Sequence, residues 1–343
     1  MLLDITREED LQTAVAALRD GGLVAFPTET VYGLGADGFN EEACRAIYRA
    51  KGRPSDNPLI LHIADMSALR DIADEVPEVA VDLAEAFWPG PLTLVLKKRK
   101  VVSDTVSGGL STVAVRLPDN DLTRTLIRAV GRPLAGPSAN ISGRPSPTLA
   151  SHVEHDFGEH IVGVVDGGPC QVGVESTIVD VTTVPPVILR PGGLSREQIE
   201  AVIGPVQMAG PVNDDSVPKA PGMKYRHYAP QAPAYLLEGA QRAERILARL
   251  EEAPRPVGLL IADETLAGLG VIPPEVFVWN MGSFAHPEDG AHRLFEGLRR
   301  MDGLGVQEIY VDAWPLEGLG EALMNRIHKM SQPWPWTSEE RER

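Results

Sequence analysis

The chain has 343 residues, 43% hydrophobic and 23% charged, and 32 Lys and Arg against 48 Asp and Glu leave a net charge of −16. At about 150 residues per domain this predicts two domains with cores of their own and excludes one small stapled module. Residues 1–206 carry 18 basic and 28 acidic side chains and the remainder 14 and 20, so both halves repel polyanions, and holding nucleic acid by bulk charge is disfavoured. No apolar run approaches the roughly 20 residues that cross a bilayer. The N-terminal MLLDITREED lacks the layout of a secretion signal, and Cys44 and Cys170 are the two cysteines; a soluble protein of the reducing cytoplasm is expected.

In chain order, apolar runs bounded by Gly, Pro or Asn alternate with amphipathic stretches. Strands are predicted at LVAF (23–26), PLILHI (58–63), LTLVLK (92–97), TVAVRLP (112–118), IVGVVD (161–166), STIVDV (176–181) and VILRP (187–191). Helices are predicted over 40–51, 77–88 and 121–130, and Ser195 with Gln198 forms a capping box for a helix ending near Gly204. Strands outnumber helices, which predicts a twisted mixed α/β sheet. Residues 207–232 have four prolines and no period and read as a linker, whose second half, with Lys224 just before Tyr225 and with Arg226 and His227 between Tyr225 and Tyr228, suits a lid. From Pro233 strands at AYLLEG, 257–262, 276–280 and 308–313 alternate with helices over 240–252, 263–269, 287–302 and 319–330, the pattern of a smaller parallel Rossmann-like domain over 233–332. Residues 333–343 read as a tail.

Four groups of residues carry chemistry. KGRPSDN (51–57) sets Lys51 and Arg53 beside Ser55 and Asn57, a set suited to polyphosphate, although Lys51 would equally complement a helix C-terminus. Strand parity sets His62 against Leu59, Leu61 and Ile63, Arg116 against Val113, Val115 and Leu117, and Arg190 against Val187 and Leu189, with Ser176 at the start of its strand. Polar residues on the far side of apolar strands predict an anion-binding cleft beside the sheet. PSANISGRPSPT (137–148) offers Ser138, Asn140, Ser142, Ser146 and Thr148 on one loop. Gly33, Gly35 and Gly38 match GxGxxG, but six residues separate them from the preceding strand and the next helix begins only near Asn40, a poor context for a dinucleotide turn. His152, His155 and His160 have no metal-ligand spacing and read as a solvated helix face. Cys170 is a thiol without an evident base, and KKRK (97–100) reads as a solvated strand end.

FPTETVYGLG, KGRPSDNPLILHI, WPGPLTLVL, VAVRLPDN, PSANISGRPSPT, GVESTIVD and ILRPG, in that order, resemble the threonylcarbamoyl-AMP synthase family, in the long form with a YrdC-type domain and a C-terminal extension. The resemblance covers about residues 10–204 strongly. It implies a nucleotidyltransferase that joins L-threonine, bicarbonate and ATP, with Mg²⁺, into threonylcarbamoyl-AMP and pyrophosphate. Transferase proteins downstream then modify tRNA adenosine. It maps Thr30, His62, Arg116, Ser138 and Ser176 to threonine and Lys51, Arg53, Asn57, Thr112, Asn140, Ser146 and Arg190 to ATP, with Tyr228 as a lid contact. Lys51, Arg53 and Arg116 are the catalytic set it implies, with no protein-held metal. The residues alone leave two other readings open, an RNA-binding module without catalysis and a nicotinamide oxidoreductase using the three glycines.

Overall fold

The computed structural model describes residues 1–210, 218–223 and 227–332, and the chain divides into two compact units, Met1–Tyr225 and Arg226–Arg343. In the first unit the described strands are β1 (Leu2–Leu3), β2 (Val24–Phe26), β3 (Gly33–Asp37), β4 (Ile60–His62), β5 (Leu92–Lys97), β6 (Thr112–Arg116), β7 (Leu134–Ala135), β8 (Gly163–Val165), β9 (Thr177–Asp180), β10 (Val187–Arg190) and β11 (Gln207–Met208). They form one mixed sheet in the order β1-β8-β2-β3-β7-β4-β6-β5-β9-β10-β11. β4 runs parallel to β6, and β5 runs antiparallel to β6 and parallel to β9.

Local chemistry sets the helix ends. The helix Glu41–Lys51 starts where the Asn40 side chain accepts from Ala43 N–H, and stops at Gly52, whose φ of 60° closes the last turn. It buries Ala43, Cys44, Ile47 and Tyr48 against the sheet and delivers Lys51, also buried, at its end. Asn120 and Gly131 bracket Asp121–Val130 in the same way, and the Ser195–Gln198 capping box opens Arg196–Ile203. One face of the sheet, through Leu61, Leu94, Val115 and Val179, packs on Ile47 of Glu41–Lys51, Leu83 of Glu78–Phe87 and Ile199 of Arg196–Ile203, while Leu126, Ile127 and Val130 of Asp121–Val130 pack with Val24, Phe26 and Leu134. The other presents Ile60, Val95, Ala114 and Ile178, on which Ala220 and Met223 lie.

Sequence periodicity passes over several elements: the helix Glu8–Arg19, strand β3 and the helix Asp104–Ser107, whereas the helix face read at His152 and His155 lies in the helix Ala150–Phe157. β3 is missed because its glycines give no alternating apolar signal. The segment read as a linker begins instead with β11, which pairs in parallel with β10 and extends the sheet.

In the second unit β12 (Ala234–Leu237), β13 (Val257–Ile261), β14 (Val276–Asn280), β15 (Glu308–Asp312) and β16 (Ser331–Gln332) form a sheet in the order β14-β13-β15-β12-β16, with every pair parallel. Helices Arg242–Leu250, Pro287–Gly303 and Gly320–Met330 make the crossovers. β16 is also a departure, because Ser331–Gln332 pairs with β12 where no strand period shows. No described helix is long and apolar enough to cross a membrane.

Candidate functional site

The parallel strands β4 and β6 end together at His62 and Arg116, which are register partners, and Thr93 of β5 is the partner of Arg116 on its other side. The carboxyl ends of parallel strands are where open α/β sheets bind ligands. Arg116, buried, donates from Nη1 to Thr30 Oγ1 at 2.8 Å and from Nε to the Gly90 carbonyl at 3.3 Å. Its Nη2 lies 2.6 Å from Glu29 Oε1, an ion pair buried on both sides. Thr28 Oγ1 lies 2.8 Å from Thr30 Oγ1 and closes the PTET turn. His62 is buried, stands edge-on to Phe26 at 5.2 Å, and its Nδ1 meets no hydrogen-bond partner among the described residues. Burial, and then the Arg116 charge beside it, pushes the imidazole down to about 3, so it is neutral at physiological pH. Thr93 and Ser176 share a hydrogen bond of 2.7 Å. Arg190 donates to the Ser176 carbonyl at 2.9 Å and to the Pro221 carbonyl at 3.2 Å. It thereby ties the segment 218–223 to the sheet, as does the ion pair of Lys219 with buried Asp180 at 2.9 Å.

Lys51 and Arg53 border this wall. Lys51 Nζ donates to the carbonyls of Ser138 and Asn140, so the buried ammonium fixes the PSAN loop. This loop-holding role is neither the phosphate-binding nor the helix-end reading of Lys51 that the sequence suggested. Arg53 is held by the carbonyls of Asn57, at 3.3 Å, and Pro58, at 3.1 Å. Asn140 donates to the Ile141 and Arg144 carbonyls, while the buried Oδ1 atoms of Asn57 and Asn140 accept from no described donor. Ser146 donates to Glu175 at 2.6 Å. Thr112 shares a sheet face with Ala114 and Arg116 through strand alternation.

The chain as a whole is similar to known proteins. A family profile described as "Telomere recombination" matches residues 16–192, and one described as "Threonylcarbamoyl-AMP synthase, C-terminal domain" matches residues 194–331. The threonylcarbamoyl-AMP synthase of Bacillus subtilis is 47% identical over 94% of this chain and 93% of its own. That of Pyrococcus abyssi is 48% identical over 94% of each. The chain belongs to the threonylcarbamoyl-AMP synthase family. The crystal structure of P. abyssi Sua5 complexed with L-threonine superposes with a TM-score of 0.89 at 46% identity, covering 96% of this chain and 97% of that one.

Within this family member several sequence readings change. Gly33 and Gly35 do not form a phosphate turn. They lie in β3, antiparallel to β2, where a Cβ would come within 2.6 Å and 2.7 Å of Phe26 and the Val24 carbonyl. The glycines make room for an aromatic ring, which removes the nicotinamide reading. Sequence reasoning missed Glu29, Thr28, Thr93 and Glu175. Parity arguments reach residues inside strands, and the two glutamates lie in loops; a carboxylate embedded in PTET or GVEST was the available signal.

Tyr228 belongs to the second unit, where its ring packs 5.3 Å from Phe295 and the Arg326 guanidinium lies 5.7 Å from it. Lys224 and Arg226 lie outside the described residues, as do residues 333–343 of the tail. His155 and His160 are exposed, while half-buried His152 accepts from Thr148 N–H at 3.2 Å. Burial pushes the Cys170 thiol up to about 12, which leaves it protonated and unreactive. Lys97 and Lys98 pair with Glu75 and Asp104, at 2.9 and 2.6 Å, as a solvated strand end does. Among the described residues no three His, Cys, Asp or Glu come together as a metal cage.

Proposed function

We propose that the chain condenses L-threonine, bicarbonate and ATP into threonylcarbamoyl-AMP and pyrophosphate. The observation that carries this reading is the row of His62, Arg116 and Thr93 at the strand ends, with Thr30, Ser176 and Arg190 bonded onto it. A fixed guanidinium suits a carboxylate. Neutral His62 and the hydroxyls of Thr30, Ser138 and Ser176 suit the remaining polar groups of threonine. Lys51, Arg53, Asn57, Thr112, Asn140, Ser146 and Arg190 form the nucleotide side. Residues 218–223, tied to the sheet through Arg190 and Lys219, act as the part of the lid nearest the sheet.

The threonine amine and bicarbonate give an N-carboxy anion with loss of water; this anion is itself a nucleophile, and its oxygen attacks the α-phosphate as pyrophosphate leaves. Such a reaction needs positioning and charge neutralisation, not a side-chain nucleophile, which accords with the inert, buried Cys170. Mg²⁺ enters on the phosphates of ATP, as this hard cation commonly does. The product is an activated carbamoyl donor in the cytoplasm for transferase proteins that modify tRNA adenosine. Pyrophosphate release should require threonine and bicarbonate together; release that persists without threonine rejects the reading.

A further inference from the structure

The buried wall around Arg116 holds a carboxylate that the residue roles above leave unused. Glu29 is about as buried as the arginine it faces, and Oε1 takes the Arg116 charge at 2.6 Å without a well-aligned hydrogen bond. Its other oxygen, Oε2, is buried and accepts no hydrogen bond among the described residues. Leaving a carboxylate oxygen dry and unbonded costs free energy that a donor arriving with a ligand recovers. On either side, Thr28 bonds to Thr30 and donates to the Val31 carbonyl, and Thr30 accepts from Arg116, so the neighbouring hydroxyls do not fill that role.

Charge balance identifies the donor. Threonine in solution is a zwitterion, and its carboxylate has Arg116 to meet. An ammonium carried into the same dry wall with no anion beside it would be an uncompensated buried charge. His62 is neutral and repels nothing, while the hydroxyls of Thr30, Thr93 and Ser176 supply no negative charge. Arg116 and Glu29, paired with each other, present the two charges complementary to those of an α-amino acid.

Resting on the threonine reading above, we propose that Glu29 receives the ammonium group of the amino-acid substrate while Arg116 receives its carboxylate. Glu29 is thus a substrate contact that makes the site select amino acids over hydroxy acids of the same shape. The test titrates the full chain with L-threonine and with 3-hydroxybutyrate, its analogue lacking the amine, by calorimetry. Glu29→Gln, nearly isosteric, should lose about 10- to 100-fold in threonine affinity, the range of a charged hydrogen bond. It should leave 3-hydroxybutyrate affinity unchanged or improved, so that the preference for threonine collapses. Glu29→Asp, which keeps the charge, should retain a preference even where Glu29→Gln folds poorly. Equal loss of both ligands would show that Glu29 merely orients Arg116 and would overturn the proposal, as would threonine binding by Glu29→Gln at wild-type strength. If the wild-type chain neither binds threonine nor releases pyrophosphate in its presence, the function reading fails instead.

Discussion

At the scale of single residues, the site works by holding charge dry. Arg116 is bonded on three sides, to Thr30, Gly90 and Glu29. Arg116→Ala should therefore lower kcat/KM for threonine by about 10- to 100-fold while leaving KM for ATP little changed. It should also lower the melting temperature, because it strands the Glu29 carboxylate. Arg53→Ala should show the opposite kinetic split, raising KM for ATP; initial-rate measurements with each substrate varied decide both. His62 gives a stability prediction with a definite sign. Unfolded, it takes up a proton below about 6.5, but the native imidazole resists until about 3. Protons therefore favour the unfolded chain as pH falls through this window, and the stability present above pH 6.5 is progressively lost. By pH 5 that contribution amounts to about 2 kcal/mol. His62→Gln should remove this part of the acid sensitivity, read as a smaller drop in urea midpoint between pH 7 and pH 5.

At the scale of elements, the Phe26 ring links the local sequence to the site. β2 supplies the ring, β3 passes it with Gly33 and Gly35, and Gly136 after β7 leaves space for it. A Cβ at Gly136 would lie 2.5 Å from the ring and 3.2 Å from His62 Nδ1. Gly136→Ala should therefore push Phe26 onto His62 and impair threonine use more than ATP use, a split that steady-state kinetics on the folded variant would register. The boundaries of the main strands and helices were legible because periodicity and caps act within a few residues: Asn40, Asn120 and Ser195 each satisfy a helix N-terminus from inside the same motif. β3 and β11 were not legible. The first is glycine-rich because of a ring across the sheet, and the second is two residues long and exists only through its pairing with β10.

At the scale of the whole molecule, the chain carries a net charge of −16, yet its first unit buries a small set of cations, Lys51, Arg53, Arg116 and Arg190. Such a distribution suits a small anionic nucleotide in a cleft, and the full chain should bind tRNA weakly without ATP; a tight affinity that falls steeply with salt would contradict this and favour the RNA-binding reading. Sequence by itself determined the alternation of elements, the face of each strand on which His62 and Arg116 stand, and, through seven ordered motifs, the family. These follow from chain-local rules, because side-chain direction alternates within a strand and caps act within one turn. Strand parity does not fix Arg190, because a register shift after Ile188 pairs it with Ile178, on the face that also receives Leu189. Only the tertiary structure decided that Glu29 pairs with Arg116 across 87 positions of chain, that Lys51 grips the loop at Ser138 and Asn140, and that Ala220 and Met223 lie on the same sheet face as Ile60 and Ala114. Each of these contacts joins segments far apart in sequence, and the burial that makes a charge need a partner arises only once the sheet has brought them together.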